Sequence, residues 1–197
     1  MEKKIKEIFE EHGGVMRTSQ LSKYGIHYRN LKKLLDDGIV AQVHRGYYQY
    51  QDEQAFSDMP VIVKMFPDAI ICMESALDYY GYTERTPSAW HIAVDSRSNR
   101  KKYQIDYPPI KAHFIVQERL VIGVEQVEID GVKVSIYNRD RTICDCLLNR
   151  NKMDAEVFNY AIRIYLQDEK KDRARLAEYA KKLHVDKKVR EVLAAWL

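Results

Sequence analysis

Long apolar runs are missing from these 197 residues. Runs such as Ala69 to Met73 reach about five residues, against the ~20 that a membrane-spanning helix needs. Met1 to Glu11 is charged throughout and lacks the apolar stretch of a secretory signal, so no membrane association and a cytoplasmic location are expected. Cysteine is scarce. Cys72, Cys144 and Cys146 form an odd, sparse set that argues against a disulfide framework. On a helix, Cys144 and Cys146 would point about 200° apart, which does not favour a shared metal, and all three read as small buried side chains. The six histidines (His12, His27, His44, His91, His113, His184) are scattered, with no pair at metal-ligand spacing. The eight glycines all have places as helix stops or turns, which leaves none for a phosphate-cradling loop. A Gly-x-Ser-x-Gly elbow is also absent. Asp95, the one carboxylate that follows a strand in a suggestive place, reads as a strand-end turn residue. No catalytic residue, metal or cofactor is therefore expected.

Acidic residues are missing from one stretch in particular. Between Arg17 and Leu35 stand Arg17, Lys23, Arg29, Lys32 and Lys33 and no Asp or Glu. The whole-chain net charge of +3 is concentrated there: residues 1–50 hold nine basic and six acidic residues, and the rest of the chain is balanced. A local positive field is what a polyanion partner requires.

The same fifty residues have a readable architecture. Ile5, Ile8 and Phe9 follow helical spacing and Gly13-Gly14 stops that helix. Thr18 is placed to N-cap a second helix that buries Leu21 and Tyr24 and ends at Gly25. A third helix runs from near His27 to Asp36 with Leu31, Leu34 and Leu35 as its apolar stripe, and Gly38 closes it. Ile39 to His44 and Tyr47 to Tyr50 flank Arg45-Gly46 as a β-hairpin. Helix, helix, turn, helix, hairpin is the order of a winged helix-turn-helix. With Leu31 at 0° and about 100° per residue, Arg29, Lys32 and Lys33 fall between about 100° and 200°, away from the core. That is where a recognition helix presents side chains to a major groove, and Arg45 would sit at the wing tip. The candidate DNA-binding residues are Arg17, Thr18, Lys23, Tyr28, Arg29, Lys32, Lys33 and Arg45.

Gln51 to Met59 is polar and reads as a linker. The expected organisation is a winged helix-turn-helix over 1–50 and a larger mixed α/β domain over 60–197 with a helical C-terminal end, α+β in class. Helices are expected from Pro60 and over Met73 to Tyr80, strands at Trp90 to Val94 and Ile110 to Val116, and a hairpin of Val124 to Ile129 with Val132 to Tyr137 about Asp130-Gly131. Asn138 should cap a helix with Asp140 in its first turn, and further helices should cover 154–167, 171–183 and 186–197. Two more features are candidates for function. The loop from Ser96 to Lys102 carries Arg97, Arg100, Lys101 and Lys102, a possible auxiliary DNA contact. Val189, Val192, Leu193 and Trp196 form an apolar stripe suited to internal packing or self-association.

Gly25-Ile26, Arg29, Leu31, Leu34, Asp37-Gly38-Ile39 and Arg45-Gly46-x-Tyr48 resemble the N-terminal winged helix of AbiEi-type antitoxins from abortive-infection toxin–antitoxin systems (type IV). The resemblance continues at Ser75-Ala76-Leu77, Tyr80-Gly81, and Asp140-Arg141-Thr142 with Asp145, where Asp140 stands in place of the family's Glu. It implies a transcriptional autorepressor without enzymatic activity, binding as two copies to inverted repeats in its own promoter. It also implies a larger domain that counters a nucleotidyltransferase-like toxin in phage resistance, with direct toxin contact left open. The alternative reading is a winged-helix protein whose larger domain is an enzyme acting on nucleic acid or nucleotide.

Overall fold

The computed structural model describes residues 2–51, 57–105 and 107–193. The chain forms two compact units: 1–67 with 105–108 and 128–133, and 68–104 with 109–127 and 134–197. Among the described residues, no helix is long and apolar enough to cross a membrane. The mixed helix-and-sheet class expected from the sequence, with a winged helix at the N-terminus, is what the structure contains.

The first unit opens with α1 (Glu2–Glu10), β1 (Val15–Arg17), α2 (Thr18–Lys23) and α3 (Tyr28–Asp36), followed by the wing strands β2 (Val40–His44) and β3 (Tyr47–Tyr50). The apolar faces of the three helices meet in one core containing Ile5, Ile8, Phe9, Leu21, Leu31 and Leu34. At roughly 1.5–3 kcal/mol per buried aliphatic or aromatic side chain, this burial, not helix propensity, holds helices of six to nine residues. Strand β1 is not among the elements expected from the sequence. It pairs antiparallel with β3 and makes the hairpin a three-stranded sheet of order β1-β3-β2. Two expectations need correcting. Tyr24 is 43% exposed rather than core. Arg17, not Thr18, is the N-cap of α2. Helix α4 (Met59–Met65) buries Met59, Val61, Ile62 and Met65 and groups with this unit, although the sequence placed it in the larger domain. Residues 52–56 of the expected linker lie outside the described residues.

The second unit contains β4 (Ile70–Ile71), α5 (Met73–Tyr79), β5 (Trp90–Asp95), β6 (Ile110–Ile115), α6 (Gln117–Leu120), β7 (Val124–Ile129), β8 (Val132–Tyr137), α7 (Arg139–Asn149), α8 (Ala155–Gln167), α9 (Arg173–Lys182) and α10 (Asp186–Leu193). The tip shared by β7 and β8 clusters with the first unit. Its turn residues Asp130 and Gly131 both have φ near the left-handed region, the conformation a two-residue hairpin requires. Strand order in the sheet is β6-β5-β4-β8-β7, with β5 and β6 parallel and β6 at an edge.

Helix α7 is the centre of this unit. Asn138 caps it, its side chain accepting the Arg141 N–H at 3.0 Å. Asp140 stands in the first turn as expected, but it is fully buried and acts as a hub. It accepts from the Tyr165 hydroxyl at 2.8 Å, the Asp172 N–H at 3.0 Å and Arg175 Nε at 2.6 Å. All three cysteines are buried and unpaired. Of the C-terminal stripe, Val189 and Val192 pack against the core that contains Phe158, Ile162 and Leu183. The Leu193 side chain and Trp196 lie outside the described residues.

Candidate nucleic-acid interface

The apolar stripe of α3 decides which of its residues reach solvent. With Leu31 and Leu34 buried, Tyr28, Arg29, Lys32 and Lys33 are all exposed, Tyr28 by 80%. Arg29 and Lys33 are four residues apart, as are Tyr28 and Lys32, so each pair stacks along the outer face. The first turn of α3 holds no acid, so its positive helix end is uncompensated by any nearby carboxylate of its own. Lys23 closes α2 on an exposed position, and Arg45 is exposed at the wing turn. Among the described residues, no ion pair engages Arg17, Lys23, Arg29, Lys32, Lys33 or Arg45. A phosphate backbone would therefore meet cations that have no internal counterion to give up.

Two further contacts link the wing to α2. The Thr18 N–H donates to the Gly46 carbonyl at 3.0 Å, and the Thr18 hydroxyl donates to the same oxygen at 3.3 Å. This is where the hydroxyl goes instead of capping α2; the Gln20 side chain accepts the Arg17 N–H at 3.0 Å in the reciprocal capping position. Gly46 has φ +78°, a left-handed backbone angle that suits glycine, while a Cβ there would make only an ordinary 3.5 Å contact with the Thr18 hydroxyl. The Arg17 guanidinium lies 5.1 Å from the centroid of the Tyr47 ring, directly across the β1–β3 pair. Tyr47 was not among the sequence candidates, because only the β1 pairing brings it to Arg17. A Thr18→Val variant should be destabilised by less than about 1 kcal/mol in urea unfolding, because the bond is exposed and the N–H bond remains. Its DNA affinity should fall several-fold as the wing turn loosens. A drop in stability without any change in DNA affinity would separate the Thr18–Gly46 bond from binding.

The other basic loop is arranged differently. Arg97 is held by Asp95, whose carboxylate accepts both its backbone N–H and its guanidinium at 2.8 Å. Those bonds hold the Asp95 carboxyl below the usual carboxylate range, and Asp95 is the strand-end turn residue that the sequence suggested. The Arg100 guanidinium lies 4.2 Å over the Phe114 ring. Lys101 is exposed, and the Lys102 ammonium lies 5.7 Å from the Tyr103 ring centroid. The scattered histidines include one pair that spacing could not show. Parallel pairing of β5 with β6 brings His113 Nε2 within 3.3 Å of His91 Nδ1. Burial, the neighbouring ring and a nearby lysine push His91 down to about 3; burial and nearby lysines push His113 down to about 4. Among the described residues, no group of three or more His, Cys, Asp or Glu is placed to hold a metal ion.

Residues 3–51 match the family described as transcriptional regulator, AbiEi antitoxin. The matched segment begins in α1 and ends one residue past β3, so it spans the winged helix-turn-helix and every candidate DNA-binding residue on it. The resemblance drawn at residues 75–81 and 140–145 lies outside the match. No curated protein matches the chain.

Proposed function

We propose that this chain is an AbiEi-type antitoxin and transcriptional autorepressor, working in the cytoplasm on inverted repeats in its own promoter. The observation that carries the reading is the outer face of α3: exposed, basic, acid-free, and set in a winged helix that matches a family of regulators. Arg29, Lys32 and Lys33 enter the major groove; Arg17 and Arg45, flanking the Thr18–Gly46 bonds, meet phosphates; Lys23, Thr18 and Tyr28 complete the surface. One winged helix covers a short site and buries a small interface, so two copies share the operator. The division of labour places DNA reading in residues 1–50 and the countering of a nucleotidyltransferase-like toxin in residues 60–197, as the AbiEi resemblance implies. Arg97, Arg100, Lys101 and Lys102 offer at most a secondary phosphate contact, since Arg97 already has a carboxylate partner.

The test is a gel-shift titration of the full chain on the DNA upstream of its own gene, repeated over a range of salt. If all five of Arg17, Arg29, Lys32, Lys33 and Arg45 also neutralise phosphates, log K should fall against log salt with a slope of roughly −4 to −5 per bound copy; Arg17 and Arg45 alone would give about −2. An affinity indifferent to salt would remove DNA as the partner.

A further inference from the structure

Away from the winged helix, the second unit contains a cleft of about 570 Å³ along edge strand β6, a volume typical of small-ligand pockets. Its walls carry Arg100, Arg119, Arg141 and Lys152 and a single carboxylate, Asp145. Asp145 is already committed: it accepts from Arg141 Nε at 3.0 Å. Four cations less one anion leave three positive charges facing one space, and among the described residues no ion pair engages Arg100, Arg119 or Lys152. Gathering like charges in this way costs repulsion that an anion would relieve. The ring of His113 is in the same wall, 3.3 Å from His91, where it stays neutral.

Arg141 shows what kind of anion fits. It is 1% exposed, with its guanidinium 4.0 Å over the Tyr137 ring. Nη1 donates to the carbonyls of Arg119 at 2.6 Å and Ile122 at 2.7 Å, and Nε donates to Asp145. These bonds fix the guanidinium in one plane at the cleft wall. With Nε and Nη1 engaged, Nη2 is the donor left to meet a phosphate oxygen, in a charge-assisted bond whose direction the other bonds fix. A duplex presents its phosphates on a convex rod and is met by projecting side chains; a recessed guanidinium is out of its reach. Three surplus charges exceed what one carboxylate ligand would balance and suit two or more linked phosphates.

We propose that this cleft binds the pyrophosphoryl group of a small molecule, with Arg141 as the buried anchor and Arg100 and Lys152 closing over it. The proposal stands independently of DNA recognition by the winged helix. The test uses the full chain and inorganic pyrophosphate, followed by calorimetry and by the rise in Tm. Pyrophosphate should bind, and acetate at equal ionic strength should not. The double variant Arg100→Ala, Lys152→Ala keeps the buried Arg141 network and should fold as before, yet bind pyrophosphate roughly tenfold more weakly or worse. Replacing Arg29 and Lys33 instead should leave pyrophosphate binding unchanged. ADP competing with pyrophosphate would identify a nucleotide as the source of the group; inorganic pyrophosphate binding without such competition would identify the free anion. No binding, binding equal in the cleft variant, or binding abolished only with Arg29 and Lys33 would overturn the proposal. So would a cleft variant impaired in affinity for duplex DNA alone.

Discussion

Replacing Arg29 and Lys33 together by alanine should weaken operator binding by roughly a hundredfold or more, at about 1–3 kcal/mol for each base or phosphate interaction removed. The circular dichroism and melting temperature should stay nearly unchanged. Both side chains are exposed, among the described residues neither has an ion-pair partner, and alanine is the better helix former. Nothing in the core of Leu31, Leu34 and their neighbours is touched. The salt slope should also flatten by about two per bound copy if both side chains sit on phosphates. If one residue reads a base edge, the slope changes less and discrimination among operator sequences relaxes instead. Unaltered gel-shift affinity in the double variant would move the interface off α3 altogether.

The legible part of the molecule is the part governed by local rules. Leu31, Leu34 and Leu35 set the inward face of α3 by periodicity alone, and that fixes where Arg29, Lys32 and Lys33 point. Asp130-Gly131 marks its hairpin because few other residue pairs take those backbone angles, and Gly46 marks the wing by supplying the left-handed residue of its turn. The illegible part depends on residues distant in sequence. Strand β1 has three residues and no alternation to detect; only its pairing with β3 makes it a strand and brings Arg17 over Tyr47. Thr18 has the chemistry of an N-cap, and a tertiary partner, Gly46, takes its hydroxyl instead. Asp140 reads as a first-turn acid, favourable to the helix dipole, but the fold buries it with Tyr165 and Arg175 twenty-five and thirty-five residues later. His91 and His113 are likewise adjacent only through parallel pairing across twenty-two residues. The cleft lined by Arg100, Arg119, Arg141 and Lys152 draws on four segments, which no spacing rule collects.

Asp145→Ala should cost about 3–5 kcal/mol in unfolding of the second unit, because it leaves the Arg141 guanidinium buried without its carboxylate. The carbonyls of Arg119 and Ile122 still accept from Nη1, but nothing replaces the acceptor for Nε. Gly123, at φ +75°, lies so close that a Cβ built on it would be 2.5 Å from the Arg141 Cβ, and the Tyr137 ring covers the guanidinium face. Asp145→Asn keeps an acceptor and should cost less. It also exposes a pH signature. Burial pushes the Asp145 carboxyl up to about 6 against the downward pull of Arg141. A group whose native pKa lies above its unfolded value binds protons more tightly when folded. Its stabilising contribution is therefore fully present below the ordinary carboxylate pKa of about 4, and fades as pH rises through about 6. The two histidines titrate in the opposite sense and are common to both proteins, so the difference in stability between wild type and Asp145→Asn isolates the carboxyl. That difference should shift in favour of wild type as pH falls from 7 to 4, measured by urea unfolding. A difference independent of pH would mean that Asp145 titrates in the folded protein as it does in the unfolded chain. In that case its bond to Arg141 would fully offset the desolvation of its buried position.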